Sequence, residues 1–144
     1  MELEKYKKSE ALKELERLSD SAKRIKYPSL KEQFFVKSNY SDKSTNELTK
    51  AIKRYLELKG CYVQRVNTTG IYSQKLKKYI YSGSTNGAAD LTAVVGGKHI
   101  SIEIKLGRDK LSEKQKEVKA QVEKAGGIYI VVKNFQDLYD FINE

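Results

Sequence analysis

Residues 87–105, GAADLTAVVGGKHISIEIK, predict a β-hairpin in the second half of the chain. The run from Ala89 to Val95 is short and apolar, and it ends at Gly96-Gly97, a pair typical of tight turns. Lys98 to Lys105 then returns as a second strand in which polar and apolar residues alternate. We therefore expect two adjacent antiparallel strands.

The polar side chains of this hairpin follow a pattern that suits chemistry. Because successive side chains of a strand point to opposite faces, Glu103 and Lys105 would share one face, while Ile102 and Ile104 would point into the core. The tight turn would fold Asp90 back towards Glu103. Two carboxylates and an ammonium group are therefore expected on one polar strip.

Two converging carboxylates form a hard oxygen site that suits Mg²⁺ or Mn²⁺. Asp90 and Glu103 would hold the ion together with the backbone carbonyl of Ile104. Lys105 would orient a water molecule and offset charge that develops on a phosphate. An E-x-K pattern on a strand is common, so spacing alone leaves open an ordinary surface hairpin with an exposed Glu–Lys pair.

The rest of the chain predicts helices on both sides of a sheet. Apolar periodicity, capping residues and glycine stops predict the remaining elements. These are helices at residues 3–25, 44–59 and 112–125, a short last helix after Asn134, and strands at residues 61–66 and 128–132. Residues 67–87 read as a long polar segment. The order of elements predicts an α/β fold with a central mixed β-sheet flanked by helices, and with an extra N-terminal helix.

The chain is expected to divide at residue 43. Residues 1–43 would form an N-terminal helical arm and a linker that contains Pro28, with Phe34, Phe35 and Val36 as an anchor, and residues 44–144 would form the main domain. The first helix has one narrow apolar stripe. Such a stripe suits packing on the domain or pairing with a second copy of the chain.

Composition narrows the class of protein. The 144 residues include 28 Lys and Arg against 19 Asp and Glu, a net charge of +9 that favours nucleic acid first and an anionic membrane second. One cysteine and one histidine, Cys61 and His99, exclude an internal disulfide, a zinc cluster and a His-rich metal centre within one chain. The sequence shows neither a signal peptide nor an apolar run of the roughly 18 to 20 residues that span a bilayer. A cytoplasmic protein that does not enter membranes is expected.

Four short motifs then follow one another in a distinctive order. They are GAADL at residues 87–91, IEIK at residues 102–105, LSEKQ at residues 111–115 and AGGI at residues 125–128. In this order they resemble the virus-type replication-repair nuclease (VRR-NUC) domain, a branch of the PD-(D/E)XK nuclease superfamily, over about residues 44 to 142. The resemblance implies a restriction-endonuclease-like core and a metal-dependent DNA endonuclease. Ala89 stands where the family usually has proline, which removes no metal ligand.

The resemblance adds two residues to the candidate site. Glu47 matches an acidic residue on the family's first helix that reaches the metal, and Gln115 matches a glutamine that lines the active site. Each also has a simpler reading as a capping partner, Glu47 for Ser44 and Gln115 for Ser112. Both readings stay open.

A basic and aromatic segment at residues 71–81 predicts contact with DNA. It contains no acidic residue, and lysines can neutralise phosphates while tyrosines stack on exposed bases or sugars. A solvated loop with tyrosines folded onto the domain is the alternative. The predicted DNA-binding residues, including nearby and weaker candidates, are Arg65, Asn67, Tyr72, Lys75, Lys77, Lys78, Tyr79, Tyr81, Arg108 and Lys110.

The resemblance also implies a partner and a setting. Short members of this type are viral or prophage proteins that act as homodimers on branched DNA such as Holliday junctions, so the cytoplasm of a bacterium or of a phage-infected host cell is expected. Two alternatives remain: a non-catalytic DNA-binding module of the same fold, and a restriction or defence nuclease that acts on linear duplex. The intact set of Asp90, Glu103, Lys105 and Gln115 argues against the first.

Overall fold

The computed structural model describes residues 4–66, 71–80, 83 and 85–144. These residues contain four α-helices, six β-strands and a 3-10 turn at Glu32–Phe34. The helices are α1 (Glu10–Lys26), α2 (Thr45–Leu58), α3 (Glu113–Lys124) and α4 (Phe135–Asn143). The strands are β1 (Tyr62–Arg65), β2 (Ile71–Ser73), β3 (Lys78–Ile80), β4 (Leu91–Val95), β5 (Lys98–Ile104) and β6 (Ile128–Val132).

Strands β1, β4, β5 and β6 form the central sheet in that order. β1 pairs antiparallel with β4, and β4 with β5, whereas β5 and β6 run parallel. In this register Leu91 lies opposite Ile102, which in turn lies opposite Ile130. The sheet is mixed, so the predicted α/β fold with a central mixed sheet is confirmed.

The two faces of the sheet have different surroundings. Ile100 and Ile102 point into a hydrophobic core that they share with buried residues of α1, α2 and α4. The opposite face carries Ser101 and Glu103, and there α3 places Gln115 in a hydrogen bond with Glu103. Because α3 also packs against β6, helices cover both faces of the sheet, as predicted.

Helix α1 packs on its own domain. Ser9 caps it by accepting a hydrogen bond from the backbone N–H of Leu12, so the helix begins at Glu10 and not at residue 3. Leu12 and Leu15 are fully buried in the core shared with α2 and α4, whereas Ile25 is 81% exposed. The first half of the apolar stripe is therefore used within the chain. That residues 1–43 form a separable arm stays a prediction.

The anchor predicted between α1 and α2 is a single aromatic residue. Phe34 and Val36 are exposed, whereas the ring centre of Phe35 lies 3.9 Å from the guanidinium carbon of Arg24. The segment is also tied down by Asp42, whose Oδ2 accepts a hydrogen bond of 3.0 Å from the first backbone N–H of α4. A cation–π contact and a hydrogen bond thus help to anchor this segment, and Tyr40 packs against the core.

A second hairpin lies within the segment that was expected to be polar and irregular. β2 and β3 pair antiparallel as a separate two-stranded sheet. Their four-residue turn, residues 74–77, places Lys77 at φ 50°. Glycine or asparagine usually fills such a left-handed position. The turn therefore lacks the residues by which a hairpin is recognised in a sequence.

Candidate active site

Asp90 lies immediately before β4 and faces the neighbouring strand β5. Its Oδ2 accepts a hydrogen bond of 2.8 Å from the backbone N–H of Ile104. Because Leu91 is registered with Ile102, Asp90 falls opposite Glu103. The hairpin folds Asp90 back towards Glu103 in the way that the Gly96-Gly97 turn predicts.

Glu103 is a carboxylate buried in the sheet, only 3% exposed. Its Oε1 accepts a hydrogen bond of 2.9 Å from Nε2 of Gln115, and Nζ of Lys105 lies 3.5 Å from the same oxygen. Its Oε2 is buried without a hydrogen-bond partner. A buried carboxylate oxygen left unpaired is costly, so it marks a place where a positive group would be stabilised.

The surroundings of Glu103 alter its proton affinity. Burial and the nearby charge of Asp90 together raise the pKa of Glu103 from its ordinary 4.5 to about 7, although Lys105 acts in the opposite direction. Near neutral pH the carboxyl therefore exchanges readily between its protonated and ionised forms. Strongly shifted carboxyl groups of this kind cluster at functional sites.

Gln115 makes the predicted capping contact and also contacts Glu103, while its role in an active site stays a prediction. Its Oε1 accepts a hydrogen bond from the backbone N–H of Ser112, which completes a capping box at the start of α3. Its Nε2 donates to Glu103. One side chain thus starts the helix and fixes the orientation of the buried carboxylate.

Gly87 allows the start of α3 to approach the chain just before Asp90. At Gly87, φ is +85°, and an added Cβ would lie 2.7 Å from the backbone carbon and oxygen of Lys114. Only glycine fits this position without displacing the helix. The glycine of the GAADL motif therefore sets the distance between α3 and the candidate site.

Glu47 stands apart from the other carboxylates. It is exposed near the start of α2, where its Oε2 accepts a hydrogen bond of 2.9 Å from Oγ of Ser44. Across residues 4–66, 71–80, 83 and 85–144, no group of three or more His, Cys, Asp and Glu side chains is arranged to hold a metal ion. Ser44 caps α2 by accepting a hydrogen bond from the backbone N–H of Glu47, but the side chain of Glu47 bonds the hydroxyl of Ser44 and does not complete a capping box. The structure does not group Glu47 with Asp90 and Glu103.

The donor set of the site fits a divalent cation in two respects. Asp90 and Glu103 supply carboxylate oxygens, the donors that Mg²⁺ and Mn²⁺ prefer. The unpartnered Oε2 of Glu103 also leaves one buried oxygen available to a cation. The residues present therefore fit the ion that the sequence predicts.

Tyr129 is a residue near the site that the sequence reasoning missed. It is 5% exposed, and its hydroxyl is buried without a hydrogen-bond partner. Burial, and then the charges of Glu103 and Asp90, raise the pKa of this hydroxyl. The run IYIVV predicts an apolar strand buried on both faces, and its one hydroxyl is the only sign in the sequence of a polar neighbour. Val131 in the same strand is 37% exposed.

The predicted DNA-binding residues lie on several exposed segments. The β2–β3 hairpin exposes Lys75, Lys77 and Lys78, and the rings of Tyr72 and Tyr79 lie 5.2 Å apart in an edge-to-face arrangement. The tyrosines are exposed and do not fold onto the domain. A surface of three lysines and two accessible rings is thus available to a polyanion.

The remaining candidates for DNA contact are more scattered. Arg65, at the end of β1, donates a hydrogen bond of 2.9 Å to Oδ1 of Asn46. Arg108 and Lys110 are exposed in the loop that follows β5. Asn67 and Tyr81 lie outside the described residues.

No helix in the described part of the chain is both long and apolar enough to cross a membrane.

Comparison with known proteins identifies the fold. No protein-family model matches the chain, and no curated protein matches its sequence. Among solved structures, the chain is similar to one described as a VRR_NUC domain, with 22% sequence identity and a TM-score of 0.53. The similarity covers 69% of this chain and 94% of that one. The chain therefore has the fold of a VRR_NUC domain, as the order of its motifs predicted.

Proposed function

We propose that this chain is a metal-dependent nuclease that hydrolyses phosphodiester bonds in DNA. The observation that carries the proposal is the buried carboxylate of Glu103, which lies opposite Asp90 and keeps one oxygen unpartnered. An ordinary surface hairpin has no reason to bury a carboxylate in this way. The VRR_NUC-domain fold adds support. In this chain the motif residues lie on or next to β4, β5 and α3, which are the elements that position the site.

Asp90, Glu103 and the backbone carbonyl of Ile104 would hold Mg²⁺ or Mn²⁺. Such a cation, when bound, polarises a phosphate and lowers the pKa of a bound water. The hydrogen bond from the N–H of Ile104 fixes the carboxylate of Asp90, and Gln115 fixes that of Glu103. Fixed ligands favour binding because little orientational freedom is lost when the ion arrives.

Lys105 supplies the positive charge of the site. Its Nζ lies 3.5 Å from Glu103, and its side chain is 16% exposed, so the ammonium group borders solvent. From there it would orient the attacking water and offset negative charge on the phosphorus centre. Glu47 would join as a further ligand only after its carboxylate releases Ser44, which the exposed position of that pair permits.

DNA binding would come mainly from the sequence-independent attraction of phosphates. The net charge of +9 provides the long-range field, and the lysines of the β2–β3 hairpin provide local contacts. Tyr72 and Tyr79 would stack on bases or sugars where the duplex is open. Exposed rings of this kind favour a substrate with unpaired or distorted regions.

We further propose that the substrate is branched DNA and that two copies of the chain act together. A single candidate site can cut one strand, whereas a four-way junction is resolved by two cuts related by a twofold axis. An isologous dimer supplies that symmetry. A bacterial or phage-infected cytoplasm would provide such junctions during replication and repair.

The experiment that tests the function compares substrates and metals directly. Purified protein is incubated with a labelled four-way junction, a flap and a linear duplex, each with Mg²⁺, with Mn²⁺ or with a chelator. We expect cleavage only with a divalent cation, and fastest on the junction. Equal cleavage of all three substrates would support the nuclease proposal and contradict the proposed selectivity for branched DNA. No cleavage of any substrate, despite tight DNA binding, would favour the non-catalytic module instead.

A further inference from the structure

Tyr129 lies on the same face of the sheet as Glu103. The parallel register pairs Tyr129 with Ser101, two residues before Glu103, so Tyr129 and Glu103 are diagonal neighbours on adjacent strands. Diagonal neighbours on one sheet face are within reach of aromatic and long side chains. Ile128 and Ile130, on either side of Tyr129, pack instead against the hydrophobic core on the opposite face.

The two side chains bury complementary polar atoms that lack partners. The hydroxyl of Tyr129 and Oε2 of Glu103 are both inaccessible to solvent and without a hydrogen bond. A phenol hydroxyl donates, and a carboxylate oxygen accepts. Burying a donor and an acceptor unpaired is unfavourable for each, so their joint presence on one face calls for an arrangement in which they meet.

The hydroxyl of Tyr129 is a hydrogen-bond donor near neutral pH, because a phenol ordinarily ionises only at about pH 10. The carboxylate of Glu103 can turn to meet it, because the terminal torsion of a glutamate has a broad energy well.

We propose that Tyr129 is a positioning residue for Glu103, donating a hydrogen bond from its hydroxyl to Oε2 of the ionised carboxylate. Gln115 holds Oε1 from α3, so the carboxylate would be fixed at both oxygens. An ionised carboxylate has about four lone-pair sites, which leaves room to face a cation as well. This inference rests on the proposed function, in which Glu103 is a cation ligand.

The first test is the affinity for Mn²⁺ of the Tyr129→Phe variant, measured by titration calorimetry without DNA. Loss of a group that orients a metal ligand typically weakens metal binding by about 10- to 100-fold, and we expect the dissociation constant to rise in that range. Tyr55→Phe is the matched control. Tyr55 is fully buried in the core and accepts a hydrogen bond from Asn143, so this variant should bind Mn²⁺ like the wild type.

The second test needs no metal. Melting temperatures are measured in chelator at pH 8 for Tyr129→Phe, for Glu103→Met, which removes the acceptor, and for the double variant. If the two side chains contact each other, their shifts should differ from additivity by about 2 °C or more. If the hydroxyl of Tyr129 has no partner, Tyr129→Phe should leave the melting temperature unchanged or raise it, both in the wild type and in the variant at Glu103. The shifts in melting temperature should then be additive.

The outcomes separate this inference from the function on which it rests. Wild-type protein that binds Mn²⁺, together with a Tyr129→Phe variant of affinity within about twofold, would overturn the positioning role and leave the nuclease proposal intact. Additive melting shifts would overturn the contact even if the affinity fell. Wild-type protein that binds no Mn²⁺ would contradict the metal site itself, and the role of Tyr129 with it.

Discussion

At the scale of single residues, the burial of Glu103 determines how stability should depend on pH. The pKa of Glu103 is about 7 in the folded chain, above its ordinary 4.5, so between these values the folded state binds more protons than the unfolded state. Stability contributed by this group is thus fully present below pH 4.5 and is lost as pH rises through 7. Burying the ionised carboxylate of Glu103 lowers the free energy of unfolding, whereas a neutral glutamine at this position does not lower it in this way.

We therefore expect Glu103→Gln to stabilise the metal-free protein at pH 8. The gain should be about 3 kcal/mol, and it should vanish near pH 4.5. Denaturant unfolding in chelator at the two pH values measures it. Glu117→Gln, a change at an exposed glutamate of α3, should show no such dependence. A stability difference between Glu103→Gln and the wild type that stays constant with pH would mean that burial does not raise the pKa of Glu103.

A variant at Lys105 should distinguish catalysis from metal binding. Lys105→Ala removes an ammonium group that is not a metal ligand in the proposed site. We expect cleavage to fall by about 100-fold or more, while calorimetry still detects Mn²⁺ binding. If the variant loses the metal as well, the contact between Lys105 and Glu103 is needed to form the site, and the lysine has a structural role.

At the scale of elements, the position of α3 depends on Gly87. Gly87→Ala would place a Cβ against the backbone of Lys114, and it would also strain a positive φ. Gly60→Ala is the matched control, because Gly60 has φ +77° but nothing within 4 Å of the added carbon. We expect both variants to lose about 1 kcal/mol or more from the backbone strain.

Only Gly87→Ala should also shift the start of α3 and loosen the bond between Gln115 and Glu103. Its cleavage rate should therefore fall well below that of the Gly60→Ala variant, measured at a temperature where both are folded. Equal rates for the two variants would show that the start of α3 does not control the site.

The lysines of the β2–β3 hairpin should determine how strongly the DNA affinity depends on salt concentration. Replacing Lys75, Lys77 and Lys78 together with alanine should weaken binding to every DNA shape, because phosphate contacts carry no sequence information. Each lost contact reduces the slope of log affinity against log salt by about 0.9, so the total change should be about 2.7. The control variant replaces the exposed Lys26, Lys31 and Lys37 with alanine, which removes the same charge from another part of the surface. An unchanged slope in the hairpin variant would mean that these three lysines do not contact the phosphates of the DNA backbone.

Elements with strong local signals were predictable from the sequence, and elements without them were not. Gly96-Gly97 and the alternation around Glu103 predicted the β4–β5 hairpin, and Ser44 and Ser112 predicted two helix starts that the structure contains. The β2–β3 hairpin escaped notice because its left-handed turn residue is Lys77. Tyr129 was not predicted as part of the site because its place beside Glu103 depends on a parallel register between distant segments, and its hydroxyl alone does not identify Glu103 as the neighbour.

At the scale of the whole molecule, the number of copies decides what a single site can achieve. Resolving a four-way junction takes two cuts, so we expect light scattering at micromolar concentration to report about twice the chain mass of 16.5 kDa. The buried half of the α1 stripe is already used within the chain, so a dimer must use another surface. A monomer that cuts linear duplex as well as junctions would contradict both the dimer and the branch selectivity.

In the proposed function, Asp90 and Glu103 form one metal site that hydrolyses DNA. The most direct measurement is Mn²⁺-dependent cleavage of labelled DNA by Asp90→Asn and Glu103→Gln, with DNA affinity measured in chelator and with Glu117→Gln as the control. We predict that both site variants lose at least about 1,000-fold in rate, equivalent to about 4 kcal/mol of transition-state stabilisation, and bind DNA like the wild type. Cleavage by either variant within about tenfold of the wild-type rate would contradict a metal site formed by Asp90 and Glu103.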